Sequence, residues 1–256
     1  MSKDNQKILT AKNVSLNIPV VSKTELSLKK TFIRSITGGK VSKNKNQTII
    51  QALSNINLTI YAGQRIALIG HNGSGKSSFI RLISGIYEPS SGTLKRRVKA
   101  YPMLHKSFIV SNFLTGIDAA KAHYLLINNN FKGFDIFLKD IIDFSGLGDF
   151  ISLPIRTYSE GMSARLMFSL LTYHAHDFLA LDEGLGTGDV AFFEKAEKRL
   201  EKFINQAGTL ILASHSVELL KKFCNRGIVF SEGTIVYDGE LDDALEFYAN
   251  RSSEIN

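Results

Sequence analysis

The chain has one cysteine and no hydrophobic run of the ~18 residues that a membrane span requires. A lone thiol, Cys224, excludes an internal disulfide, and its apolar neighbours Phe223 and Ile228 suit packing better than reactivity. The opening residues, Met1 to Lys7, carry no apolar segment of the signal-peptide kind, so the expectation is a protein that stays in the cytoplasm. No cysteine cluster accompanies His174-Ala175-His176-Asp177, which reads as a polar turn rather than a transition-metal site. Internal repeats and low-complexity tracts are absent too. What is present is 256 residues, 44% of them apolar, enough for one large or two small domains with a real core.

Acidic residues are scarce in one place above all. Between Val20 and Ile50 the cations Lys23, Lys29, Lys30, Arg34, Lys40, Lys43 and Lys45 face Glu25 alone, which accounts for most of the formal net charge of +7. Such a stretch suits nucleic acid, anionic lipid head groups or plain water. Because Leu26, Leu28, Phe32, Ile33 and Ile36 are interleaved, a short amphipathic helix near a membrane surface or membrane partner is favoured over a solvated loop.

Alternation marks strands at Ile8 to Val14 and Ala52 to Ile60, a small N-terminal sheet, with another strand at Thr93 to Ala100. From Pro102 to about Ser169 the pattern changes to helical spacing, at Phe113 to Ile127 and Phe134 to Phe144, broken by Asn128-Asn129-Asn130. Strands return at Phe178 to Leu181 and Thr209 to Ala213 around an amphipathic helix, Val190 to Ile204, an order that implies a parallel sheet. A hairpin turning at Ser231-Glu232-Gly233 and a helix from Leu241 to Tyr248 close the chain. The expected division is a core of residues 1–102 and 169–250, a helical subdomain of 103–168, and the basic insertion of 20–50.

Between the apolar run Arg65 to Ile69 and the periodic segment Ser78 to Ile83 stands Gly70-His71-Asn72-Gly73-Ser74-Gly75-Lys76-Ser77. It fits G-x-x-x-x-G-K-[ST], whose small residues let backbone N–H groups curl around a phosphate at the positive end of the next helix. His71 to Ser78 are therefore candidate nucleotide contacts, Lys76 for the β/γ-phosphates and Ser77 for Mg²⁺. About a hundred residues on, the strand ending Leu181-Asp182-Glu183 delivers two acids where ligands of open α/β sheets sit. Asp182 would hold Mg²⁺ through water, and Glu183 would orient and polarise an attacking water. Before them, Tyr158-Ser159-Glu160-Gly161-Met162 opens a helix, where Ser159 and Gly161 offer a hydroxyl and an N–H as a second anion site. A serine cap is the ordinary reading of that motif taken alone.

Phosphate loop, S-x-G-x helix start, Asp-Glu strand end, Asp189, then Ser214-His215-Ser216 after the next strand: this order resembles the ATP-binding cassette family over nearly the whole chain. The resemblance implies an α/β phosphate-loop NTPase cassette with a RecA-like parallel-sheet core, an N-terminal antiparallel β subdomain and an inserted α-helical subdomain. It implies that ATP and Mg²⁺ are the cofactors, and that Ser159 and Gly161 reach the γ-phosphate held by a second copy, so that the active unit is a homodimer. It makes Asp189 part of the loop coupling the two sites, and His215 a switch histidine touching the γ-phosphate and Glu183. Within the family, the Y-S-x-G-M motif, the Gly-x-Gly-Asp after Glu183 (counted from Gly186), Ala213 to Ser216 with Phe223-Cys224-Asn225, and the basic insertion resemble the ATPase subunits of bacterial polysaccharide exporters. Such subunits sit on the cytoplasmic face of the inner membrane beneath a pair of permease subunits, which make most of the contact with the O-antigen, capsule or teichoic-acid chain. Nucleic acid is not expected. Other transporter cassettes, and a soluble cassette acting on ribosomes or nucleic acid, are the alternatives.

The pattern is departed from in three places. Near Ile18, where cassettes stack an aromatic ring on adenine, there is none, so the base would rest on aliphatics and GTP would be admitted too. The glutamine that usually links Mg²⁺ to the membrane partner has no clear counterpart, and His105 is the positional candidate. Glu160 replaces a glycine; a carboxylate aimed at a phosphate from ~6 Å would cost roughly 3 kcal/mol at an effective dielectric of 20, so its side chain should point outward. The chain ends soon after its closing helix, so the expectation is that it lacks the extra sugar-binding domain some O-antigen exporters carry and that substrate selection lies mainly in the permease.

Overall fold

The computed structural model describes residues 6–20, 40–44, 47–104, 111–182 and 190–253. The amphipathic stretch with Leu26, Leu28, Phe32, Ile33 and Ile36, and the candidates His105, Glu183 and Asp189, lie outside the described residues. The described chain falls into two units, one of residues up to 104 with 176–182 and 207–253, the other of 111–175 and 190–206.

In the first unit, strands β1 (Lys7–Val20), β2 (Lys40–Asn44), β3 (Gln47–Tyr61) and β5 (Ser91–Arg96) form an antiparallel sheet in the order β2-β3-β1-β5. β1 and β3 run well past the alternating segments visible in the sequence. Register shifts around Val14 let them do so, with Asn13 and Asn55 taking φ values of 51° and 52° that asparagine tolerates better than most residues. Leu9, Ala11, Val14 and Leu16 of β1 and Leu53, Ile56, Leu58 and Ile60 of β3 are buried in one core.

That core is shared with a second sheet. Its strands are β4 (Arg65–Ile69), β6 (Tyr101–Leu104), β7 (Phe178–Asp182), β8 (Thr209–Ala213), β9 (Arg226–Ser231) and β10 (Thr234–Glu240), ordered β10-β9-β4-β8-β7-β6. Every pairing is parallel except the β9–β10 hairpin. β7 and β8 are buried throughout, as unbroken apolar strands in a sheet covered on both faces must be. Helix α1 (Lys76–Ile83) packs Phe79 on Phe230 with ring centroids 5.3 Å apart.

β6 was not foreseen, because Pro102 reads as the end of a strand region. As the last strand of its sheet it tolerates a residue that cannot donate to a ladder.

The second unit contains helices α2 (Gly116–Asn128), α3 (Phe134–Ser145), α4 (Glu160–Leu171) and α5 (Val190–Gln206). α2 starts at Thr115, whose hydroxyl accepts from the Asp118 N–H and donates to its carboxylate, so Phe113 lies outside the helix and is 74% exposed. Ala120, Phe137, Ile141, Leu166 and Leu170 fill the core. α5 lies between two sheet strands in sequence, yet it packs here: Phe192 meets Phe144 and Phe168 edge-on, and the Arg199 guanidinium lies 4.1 Å over the Phe144 ring while donating to Thr172 and Asp140. Elements α6 (Val217–Phe223) and α7 (Leu241–Ser253) belong to the first unit. Among the described residues no helix is long and apolar enough to cross a membrane.

Candidate functional site

β4 leads straight into the glycine-rich loop, and α1 leaves it. Gly73 and Gly75 adopt φ values of 82° and 113°, left-handed backbone that an L side chain resists, and a Cβ on Gly75 would stand 3.1 Å from Leu53. Gly70 is tighter: a Cβ there would meet the Phe230 carbonyl at 2.5 Å. The loop is pinned from below, where the Gly233 N–H of the hairpin turn donates to Ser74 O, and the Ser54 N–H to Gly233 O. Ser74 is fully buried, and its hydroxyl finds no partner among the described residues.

The start of α1 has no side-chain cap and no acidic residue in its first turn. Its backbone donors and the positive end of its dipole therefore face the loop with no carboxylate in the helix's own first turn. Lys76, buried at 7% exposure, donates from Nζ to Gly70 O at 2.6 Å and to His71 O at 3.0 Å, which draws its charge back over the loop. An uncapped helix start beside a buried ammonium fits a polyphosphate.

The carboxyl ends of the central strands are level. Leu68 of β4 is in register with Ala213 of β8, and Ala213 with Asp182 of β7. Two strand spacings put Asp182, 9% exposed, roughly 10 Å along the sheet edge from β4. Ser77 at the start of α1 and Asp182 offer hard oxygen donors of the kind Mg²⁺ selects. After β8 the chain turns through Ser214 to His215, whose Nε2 lies 3.1 Å from Asn72 Oδ1 in the phosphate loop. Loop, Asp182 and His215 are thus gathered at one end of one sheet.

The remaining candidates stand elsewhere. Ile18 pairs with Ile50 and is half-buried against the core of the two sheets. In the helical unit Ser159 caps α4, accepting from the Met162 N–H at 3.2 Å; its own O–H is still a donor. Glu160 is exposed, and a Cβ at Gly161 would meet nothing nearer than Ser159 Oγ at 3.9 Å. His174 accepts from Asn128 Nδ2, and burial holds its pKa below the usual histidine value. His176 is stacked on Tyr101 at 3.6 Å. Burial pushes the Cys224 thiol up to about 12, consistent with a packing role.

A parallel sheet whose strand runs through a glycine cradle into an uncapped helix, with an acid at a neighbouring strand end, defines a phosphate-loop nucleotide-binding protein. Residues 53–186 match the ABC transporter family, and the chain belongs to that family. It is 36% identical over 235 residues to the O-antigen export system ATP-binding protein RfbE of Yersinia enterocolitica, covering 91% of this chain and 98% of that one. Identity to the teichoic acids export ATP-binding protein TagH of Enterococcus faecalis is 36%, covering 88% of this chain but half of TagH. The ABC transporter protein AbcA of Aeromonas salmonicida is 33% identical, and 65% of its length is spanned. Among solved structures, the ATP binding subunit of an ABC transporter superposes with a TM-score of 0.65 at 17% identity, covering 95% of this chain and 94% of that one. The dimeric cassette MJ0796 bound to ADP and Pi gives 0.64 at 16%, covering 91% and 98%. The fold is the α/β ABC cassette expected from the sequence.

Sequence reasoning missed one contact in the site, the pairing of Asn72 with His215. The two are 143 residues apart, and nothing local signals it.

Proposed function

We propose that this protein is the ATP-hydrolysing subunit of an exporter that drives lipid-linked cell-surface polysaccharide, of O-antigen or capsule type, across the inner membrane. The observation that carries the reading is the 36% identity to an O-antigen export ATP-binding protein across 98% of that relative's length. The cradle supports the chemistry: backbone N–H groups of Gly73 to Ser78 and the Lys76 ammonium bind the β- and γ-phosphates of ATP. Ser77 and Asp182, with His105 as the third candidate, would hold Mg²⁺, which when bound neutralises phosphate charge. Glu183 orients and polarises the attacking water, and His215 donates toward the γ-phosphate. Ser159 and Gly161 of a second copy close over that phosphate, with Asp189 between the two sites, so the active unit is a homodimer.

Closure of the dimer on ATP is the stroke delivered to a pair of membrane-embedded permease subunits, and hydrolysis reopens it. The protein would then work on the cytoplasmic face of the inner membrane, the polysaccharide being contacted mainly by the permease. The test is the amount of lipid-linked polysaccharide inside and outside cells that lack the protein or carry Glu183→Gln. Polymer trapped in the cytoplasm beneath bare surfaces is expected in both strains. Unchanged surface glycan would discard the polysaccharide assignment.

A further inference from the structure

Asn72 and His215 are both exposed, and a hydrogen bond between two exposed side chains adds little to stability. Its interest is directional. An amide Oδ1 has no proton to give, so in this pair Nε2 of His215 must carry the hydrogen and Oδ1 accept it. In a ring that carries one proton, the bond favours the Nε2–H tautomer and draws Nε2 toward the loop. Unlike a partner on its own turn, Asn72 belongs to the phosphate loop, between His71 and Gly73, so the ring is steered by the element that receives the nucleotide.

His71, the loop's neighbouring imidazole, is engaged differently. Its Nδ1 lies 2.8 Å from Asn72 O, a bond made within the loop itself. The Asn72 side chain, by contrast, reaches across to the end of β8.

We infer that Asn72 is a positioning residue for His215: it holds the imidazole as the Nε2–H tautomer aimed at the phosphate loop, ready for transfer of that hydrogen bond to a γ-phosphate oxygen. The inference rests on the ATPase reading for its last clause only, because tautomer and heading are properties of the nucleotide-free protein. In the absence of a γ-phosphate the bond to Asn72 persists. With a triphosphate in place a charged oxygen, the stronger acceptor, competes for the same hydrogen.

The test combines a spectroscopic signature with a split of kinetic parameters. In protein labelled with ¹⁵N at its six histidines, the resonance that disappears in His215→Ala is expected to report the Nε2–H form. In Asn72→Leu, which keeps the side-chain size and removes the acceptor, the share of the Nε2–H form should fall. Asn72→Asp, which keeps an acceptor oxygen, should retain the Nε2–H form. Kinetically, Asn72→Leu should lower kcat about fivefold or more with KM for MgATP nearly unchanged. Asn72→Asp should keep most of kcat and raise KM, because its charge opposes the triphosphate.

In a His215→Ala background Asn72→Leu should cost nothing further, the sign of two residues acting as one. An unchanged tautomer in Asn72→Leu, or an equal loss with and without His215, would overturn the inference. ADP affinity measured in each variant shows that the loop is still folded. If the wild-type protein hydrolyses no ATP, the proposed function fails, and the tautomer still decides the role of Asn72.

Discussion

Gly161→Ala should make the protein more stable and less active at once. Gly161 is the second residue of α4, its φ is not among the positive values, and a new Cβ would have 3.9 Å of clearance from the nearest heavy atom. Among the described residues of the same molecule nothing requires glycine there. Alanine is favoured over glycine within a helix by about 0.5–1 kcal/mol, and a first-turn position should sit at the lower end. For a chain of this size each kcal/mol moves the melting temperature by ~2–4 °C, so differential scanning calorimetry of the nucleotide-free protein should show a rise of about 1–2 °C. If a second copy presents its γ-phosphate to the N–H groups at this helix start, the added methyl blocks the approach. Turnover at saturating MgATP should then fall more than tenfold, a loss above about 1.4 kcal/mol in the transition state. The double variant with Glu183→Gln should no longer form an ATP-held dimer on gel filtration. Full turnover in Gly161→Ala would refute the assignment of this helix start as a phosphate site, and a lower melting temperature would refute the clearance argument.

Two further outcomes are expected. Lys76→Met removes the donor to Gly70 O and His71 O, so the thermal stabilisation by MgATP should vanish; at a hundred times Kd that stabilisation is about 2.7 kcal/mol in the wild type. A retained shift in a thermal-melt assay would count against the phosphate cradle. Cys224, with its thiol raised to about 12 from 9.0, should resist thiol reagents at pH 8 while folded. Because the unfolded thiol ionises first, its contribution to stability is complete below pH 9 and is lost as pH climbs toward 12; denaturant titrations of wild type and Cys224→Ala should diverge over that window, and parallel curves would contradict it.

What could be read from the sequence divides along physical lines. The phosphate loop was legible because its requirements are local: glycines at 73 and 75 for left-handed backbone, then a lysine and a helix start. The unbroken apolar strands β7 and β8 were equally plain. Features set by partners distant in sequence were not. Pro102 hides β6, because only its place at the end of a sheet makes proline tolerable. α5 has the spacing of any amphipathic helix, and its pairing with Phe144 and Phe168 depends on where two other helices stand. Thr115 moved the start of α2 past Phe113 through a cap two residues inside the periodic segment. His215 was marked by its place after a strand, but its contact with Asn72 exists only once β4 and β8 lie side by side.

The same Pro102 has a consequence for the protein among its neighbours in a crowded cell. A sheet's terminal strand is a template on which a stray extended chain can add itself, and growth of that kind leads to aggregates. β6 is the last strand of this sheet among the described residues, and at Pro102 it has no N–H to give to a ladder. A four-residue edge strand that carries a proline is a poor template for a further strand.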